Sequence, residues 1–268
     1  MVVGTSILAI LVAMTAIAVG MFVSSNRLVF GLPIASDTGN DYSEFIKTKD
    51  DVLNFYLEKH HRQIGDDFVP YKNHCLRVLA FTKYHLAQKN VHLPPHIYNI
   101  VAMALAYHDI ALWTDGELNY LEPSVLRMNE RVSREMKISK QAEGDEGTGY
   151  VPQVVHWASF QNDAEVAKAI IMYHHKFTDY DYQTDETGNQ SAAKLVDNMN
   201  EIVNAVRKAD WADATMGIVR FGLPQELLAK AYETIPEAGF HNVLVGMGPR
   251  LSPDNVMGQL EVMKIIKW

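Results

Sequence analysis

From Phe45 onward, apolar residues return every three or four positions, the period of a helix that buries one face. The spacing predicts a helix over 45–60, where FIKTKDDVLNFYLEKH brings Phe45, Val52, Phe55 and Tyr56 near one another. It predicts a second over 71–88, with Leu76, Leu79, Ala80 and Tyr84 in register, and a third over 94–108, PPHIYNIVAMALAYH, opened by proline as helices often are. Helical spacing also covers about 121–136, 163–175, 192–214, 224–233 and 253–266. No stretch sustains the two-residue alternation of a half-buried strand, and no segment repeats. The expected fold class is therefore all-α, a helical bundle.

Two stretches interrupt the pattern. Residues 31–42, GLPIASDTGNDY, are rich in Gly, Pro, Ser and Asp and read as a linker, and 140–152, KQAEGDEGTGYVP, reads as a loop. The chain then divides into a segment at 1–28, a linker at 29–41 and one helical body at 42–268.

The first segment follows a different rule. Residues 2–23 carry no charge, and as a helix they reach about 33 Å, enough to cross a hydrocarbon layer of about 30 Å. No Lys or Arg precedes the run, and it is long for the apolar region of a signal peptide. The expectation is an uncleaved membrane anchor, with a cleaved signal or a buried core helix as alternatives. Arg27 follows the run, which favours a cytoplasmic body; cleavage would instead leave a secreted or periplasmic one.

Charge and composition narrow the chemistry. A net charge of −8 disfavours nucleic acid as a partner, because backbone phosphates reward clustered Lys and Arg. The single cysteine, Cys75, excludes an internal disulfide and a thiolate-built metal centre. Any metal site must use the eleven histidines with Asp or Glu, donors that suit Zn, Fe, Mn, Mg or Ni.

Six polar residues stand where the pattern calls for core: His74, His108, Asp109, His174, His175 and Asp210. A buried carboxylate needs compensation, and Asp109 lies between apolar runs in MALAYHDIALWTD. Neighbouring helical residues diverge by about 100°, so at a helix end His108 and Asp109 can both reach one ion, or Asp109 can bridge two. Helical bundles commonly build metal sites from side chains on facing helices.

The ordered set His74, His108-Asp109 and Asp210 resembles the H…HD…D signature of the HD-domain metal-dependent phosphohydrolase superfamily. The intervals are 108 − 74 = 34 and 210 − 109 = 101 residues. The phrases YLEPS (120–124), MYHHK (172–176), RKADWADATMG (207–217), RFGLP (220–224) and AGFH (238–241) resemble a little-characterised bacterial and fungal branch of it. The resemblance spans roughly Asp51 to Trp268. It implies an all-α HD domain, a divalent metal held by His74, His108, Asp109 and Asp210, and hydrolysis of a phosphate ester such as a nucleotide. Two-metal members add histidines between the HD pair and the last Asp, where His174 and His175 lie, with His156 a further candidate.

Around this set, Asp109 is the expected catalytic base, with Glu122 as a nearby acid or, alternatively, a cap of the next helix. Lys176, Arg207 and Lys208 are candidate binders of substrate phosphate. Arg207, Asp210 and Asp213 are spaced three apart and share a helix face. His241 suits either a cap or a cleft wall, whereas His60, His61, His85, His92 and His96 read as surface residues. Two other functions fit the same residues: a di-iron oxygenase of the same fold, and a membrane-tethered nucleotide sensor without turnover.

Overall fold

Ala102 to Tyr107 are all buried, and the helix that carries them, Pro95–Tyr107, is the hub of the molecule. It packs on Asp51–Leu57, Phe68–Ala87, Leu121–Ala142 and Phe160–Tyr173. A helix apolar all round can only be stable when covered on every side. The computed structural model describes residues 41–142, 160–181 and 198–251. The apolar run 2–23, nearly all of the linker, His156 and the helix expected over 253–266 lie outside the described residues.

In chain order the α-helices are α1 (Asp51–Leu57), α2 (His61–Ile64), α3 (Phe68–Ala87), α4 (Pro95–Tyr107), α5 (Ala111–Thr114), α6 (Leu121–Ala142), α7 (Phe160–Tyr173), α8 (Met199–Ala214), α9 (Gln225–Thr234) and α10 (Phe240–Leu251). Short 3₁₀ turns at Glu58–His60 and Gly65–Asp67 join α1, α2 and α3. The described residues form an all-α fold without strands, as the spacing predicts. The long helix α3 lies along α8, and α4 lies along α7 and α1. Among the described residues, no helix is long and apolar enough to cross a membrane.

Helix boundaries follow local chemistry. The first helix starts at Asp51 rather than at 45, because Asp50 is extended and its Oδ1 accepts the Leu53 N–H at 3.0 Å. That bond satisfies an otherwise orphan donor of the first turn. Helix α4 opens with Pro95, which lacks the N–H that would be orphaned there. The loop expected from 140 is helical as far as Ala142. Helix α8 stops in a turn where the Gly217 N–H reaches Ala212 O at 2.7 Å. With φ +77°, a side chain at Gly217 would be strained, and its Cβ would lie 2.3 Å from Leu228 Cδ2, which would have to shift.

Helix α10 is absent from the spacing-based expectation. The glycines and proline in VGMGPR lower its intrinsic helicity. Its start is instead fixed by Glu237, whose carboxylate accepts the N–H groups of Gly239 at 2.8 Å and His241 at 2.6 Å. A carboxylate at a helix N-terminus also meets the positive end of the helix dipole.

Candidate metal centre

Four segments deliver the polar residues that the pattern marks as misplaced. His74 lies in α3, His108 and Asp109 in the turn after α4, His174 directly after α7, and Asp210 in α8. All five are buried. Their ligand atoms form two groups that share His108: His74 with His108 and Asp210, and His108 with Asp109 and His174. Within each group these atoms lie within 4.8 Å of one another.

The three imidazoles are held in the same way. His108 Nδ1 donates to Leu105 O at 2.6 Å, and His174 Nδ1 donates to Ile171 O at 2.8 Å. A carbonyl only accepts, so each Nδ1 carries the proton and each neutral Nε2 is bare. His74 Nδ1 donates to Asp213 Oδ2 at 2.7 Å, with the same result. The three bare nitrogens converge. His74 Nε2 lies 3.2 Å from His108 Nε2 and 3.2 Å from Asp210 Oδ1. His108 Nε2 lies 3.2 Å from Asp109 Oδ2, and His174 Nε2 lies 3.2 Å from Asp109 Oδ1. Asp109 Oδ1 is buried and receives no hydrogen bond.

Acceptors aimed at acceptors in a dry interior repel unless a cation sits among them. One proton serves one such pair, whereas a divalent ion accepts several donors at once. With bonds of about 2.1 Å to each ligand, neighbouring ligands of a metal stand about 3.0–3.4 Å apart, close to the spacings here. The donor set and the orphaned Asp109 oxygen therefore fit a metal ion. The one thiol nearby, Cys75, points its Sγ at Leu105 O at 3.3 Å instead.

Without an ion, protons take its place between these nitrogens and carboxylates. Burial alone would lower the His108 imidazole, but the adjacent Asp109 carboxylate outweighs it and holds it well above its ordinary value. Burial would raise Asp109, yet His108 and then His174 hold it well below the usual carboxylate range. His74 is raised in spite of burial by its bonds to Asp210 and Asp213. Burial pushes the Tyr120 hydroxyl well up, helped by Asp109 and Asp210, so it stays protonated.

The remaining candidates sit further out. His175 is buried, with its ring 5.0 Å from that of His174 and 6.2 Å from that of Tyr120, but neither ligand group includes it. Glu122 is exposed in the first turn of α6 and makes no hydrogen bond or ion pair with the cluster. From the same YLEPS motif it is Tyr120 that reaches the site, its hydroxyl 3.4 Å from His174 Nε2. Lys176 follows His175, half-buried, its ammonium 6.0 Å over the Tyr173 ring. Arg207 is buried and engaged elsewhere. Nε donates to Asn204 Oδ1 at 3.1 Å, Nη1 to Phe177 O at 2.7 Å, and Nη2 pairs with Asp179. None of its hydrogen bonds reaches the cluster. Lys208 is half-buried, its amine lowered by burial and by Arg207 and Lys89, with Asp179 opposing.

Several site residues escape the sequence reading. Asp213, visible only as a face neighbour of Asp210, binds His74. Tyr71 accepts the Asp109 N–H at 3.2 Å and fixes the HD turn. Phe240 stacks on His74, ring centres 4.0 Å apart at 12°. His241, expected as a cap or a cleft wall, bonds Glu237 through Nδ1 at 3.0 Å and Asp213 O, in the last turn of α8, through Nε2 at 2.9 Å. Three histidines leave their expected surface positions: His60 is half-buried against Tyr107, and His85 and His96 are half-buried.

No family model, curated protein or solved structure matches the chain. Fold and site on their own define an all-α protein with buried histidine–aspartate groups that could hold a metal ion.

Proposed function

We propose that this protein is a metal-dependent hydrolase of small phosphate esters, a nucleotide or a comparable phosphorylated molecule. The observation that carries the reading is the convergence of three bare Nε2 atoms with two buried carboxylates. The choice of phosphate ester over other substrates rests on the resemblance of His74, His108-Asp109 and Asp210 to the HD-domain signature.

His74, His108, Asp109 and Asp210 would hold a divalent cation, with His174 extending the site through Asp109. When bound, such an ion lowers the pKa of a water ligand toward about 7 and polarises a phosphoryl oxygen. Asp109, through the oxygen that accepts no hydrogen bond, receives the proton of the attacking water. The protonated Tyr120 hydroxyl donates a hydrogen bond to a substrate oxygen at the His174 side. Lys176 offsets charge on the transferring group. Residues 2–23 tether the protein to a membrane.

Full-length protein assayed against phosphomonoesters, phosphodiesters and nucleotides is expected to turn over at least one of them. Chelation should abolish that activity and a divalent metal should restore it. Asp109→Ala should cost more than about a hundredfold in rate while leaving the helical circular dichroism intact. Activity that survives complete chelation would defeat the reading. For the tether, full-length protein should stay in the membrane pellet through a carbonate wash; release into the supernatant contradicts an anchor.

A second reading draws on Asp109, which faces His108 through Oδ2 and His174 through Oδ1 and so could bridge two ions, with His174 and His156 as ligands of the second. In that case the site is a two-iron oxygenase. Two irons per chain with oxygen consumption would favour it over hydrolysis.

A further inference from the structure

His74 is the one imidazole of the three whose Nδ1 proton goes to a carboxylate rather than to a backbone carbonyl. That carboxylate, Asp213, is 0% exposed and does not face the cluster itself. It is gripped from behind. Arg77 Nε donates to Asp213 Oδ1 at 2.6 Å and Nη2 donates to Oδ2 at 2.9 Å, a planar two-point pairing. Arg77 is also 0% exposed, and its Nη1 donates to Pro236 O at 3.0 Å and Ile235 O at 3.2 Å. The Tyr232 ring covers its guanidinium at 4.6 Å. Phe240 closes the far face of His74.

A buried ion pair needs such order to offset its own desolvation; what bears on the site is the one direction this order leaves open. Both Asp213 oxygens are fixed by Arg77, so Oδ2 has one direction left for the His74 proton. That leaves His74 Nε2, and only that atom, turned toward Asp210 and His108. We infer that Asp213, locked by Arg77, is a positioning residue that sets the tautomer and ring orientation of His74 for metal binding. The inference rests on the metal reading proposed above. Partners of this kind typically change metal affinity by about ten- to a hundredfold when lost. Asp213→Asn can still accept a hydrogen bond but loses the charge and half of the Arg77 pairing. Arg77→Lys keeps a charge but loses the two-point fork.

The test uses the metal-stripped full-length chain titrated with Zn²⁺ by calorimetry, alongside ¹⁵N-labelled histidine spectra of the same samples. The wild type should show a slowly exchanging, downfield Nδ1 proton on His74 and bind Zn²⁺. Asp213→Asn should lose that signal and bind Zn²⁺ about ten- to a hundredfold more weakly, with unchanged helical circular dichroism. Should Asp213→Asn not fold, Arg77→Lys serves in its place, with a smaller loss of affinity and a shifted Nδ1 signal expected. A wild type that shows the Nδ1 signal but binds no Zn²⁺ overturns the metal site and, with it, the positioning role. A wild type that binds Zn²⁺ without the signal, or a variant with wild-type affinity and signal, overturns this inference while the metal reading stands.

Discussion

Arg77 and Arg207 are the two bulkiest fully buried side chains of the described residues, and each pairs with an aspartate. Their partners differ. Asp213 is 0% exposed beside Arg77, whereas the Asp179 side chain is 71% exposed beside Arg207. For Arg77, burial opposes the charge but Asp213 outweighs it and the guanidinium is raised. For Arg207, burial wins over a partner open to water and the guanidinium is lowered. Arg77 supports a ligand of the cluster, and Arg207 clasps the backbone after α7 through Phe177 and Lys176 carbonyls. A buried charge therefore marks a site only through what its partner touches.

The largest expected effect separates the two by truncation. Arg77→Met leaves Asp213 buried and half-paired, a change that typically costs about 3–5 kcal/mol. Arg207→Met leaves buried carbonyls unsatisfied and should cost about 1–3 kcal/mol, because Asp179 returns to water. Chemical denaturation of the two variants measures both. Equal losses would erase the distinction drawn here.

Acid titration separates them next. His85 lies in the field of Lys208 and Arg207, and burial first, then those cations, pushes its imidazole down to about 4. Unfolded chains take up that proton near pH 6.5, the folded chain only near 4, so stability falls as pH drops through this window. His85→Gln should remove a loss of about 3 kcal/mol between pH 6.5 and 4. Asp213 is held at about 2 by His74 and Arg77 against the upward pull of burial. Its contribution is complete above about pH 4 and is lost as pH falls toward 2. Metal-free protein unfolded at a series of pH values should show both windows, and a flat profile between 6.5 and 4 would contradict the His85 assignment.

The smallest contrast lies in the aromatic covers. Phe240 stacks on His74, whereas Phe221 lies under Arg207 at 5.3 Å. Phe240→Leu and Phe221→Leu should each destabilise by about 1 kcal/mol. Only the first should also weaken metal binding, which a titration of both variants reads directly.

The comparison also shows what sequence can and cannot reveal. The helices over 71–88 and 94–108 are legible because their apolar spacing is dense. His74, His108, Asp109 and Asp210 stood out because each interrupts such spacing. Arg207 reads as a candidate phosphate binder because it precedes Asp210 by one helical turn, a spacing that does not encode its bonds to Asn204, Phe177 O and Asp179. Arg77 carries no signal in the spacing, which marks positions and not where a long side chain ends. Its partner lies 213 − 77 = 136 positions away, a contact that no local period encodes. Helix α10 leaves no trace in the spacing for a related reason: its start depends on the Glu237 cap and its VGMGPR segment is a poor helix former.

The central claim is that His74, His108, Asp109, Asp210 and His174 enclose a divalent cation, and His108 belongs to both ligand groups. Elemental analysis of full-length protein and of His108→Ala, purified side by side from metal-supplemented cultures, tests it most directly. The wild type should carry one or two divalent ions per chain and the variant close to none, with equal helical content. A wild type free of metal, or a variant retaining the wild-type complement, would contradict it.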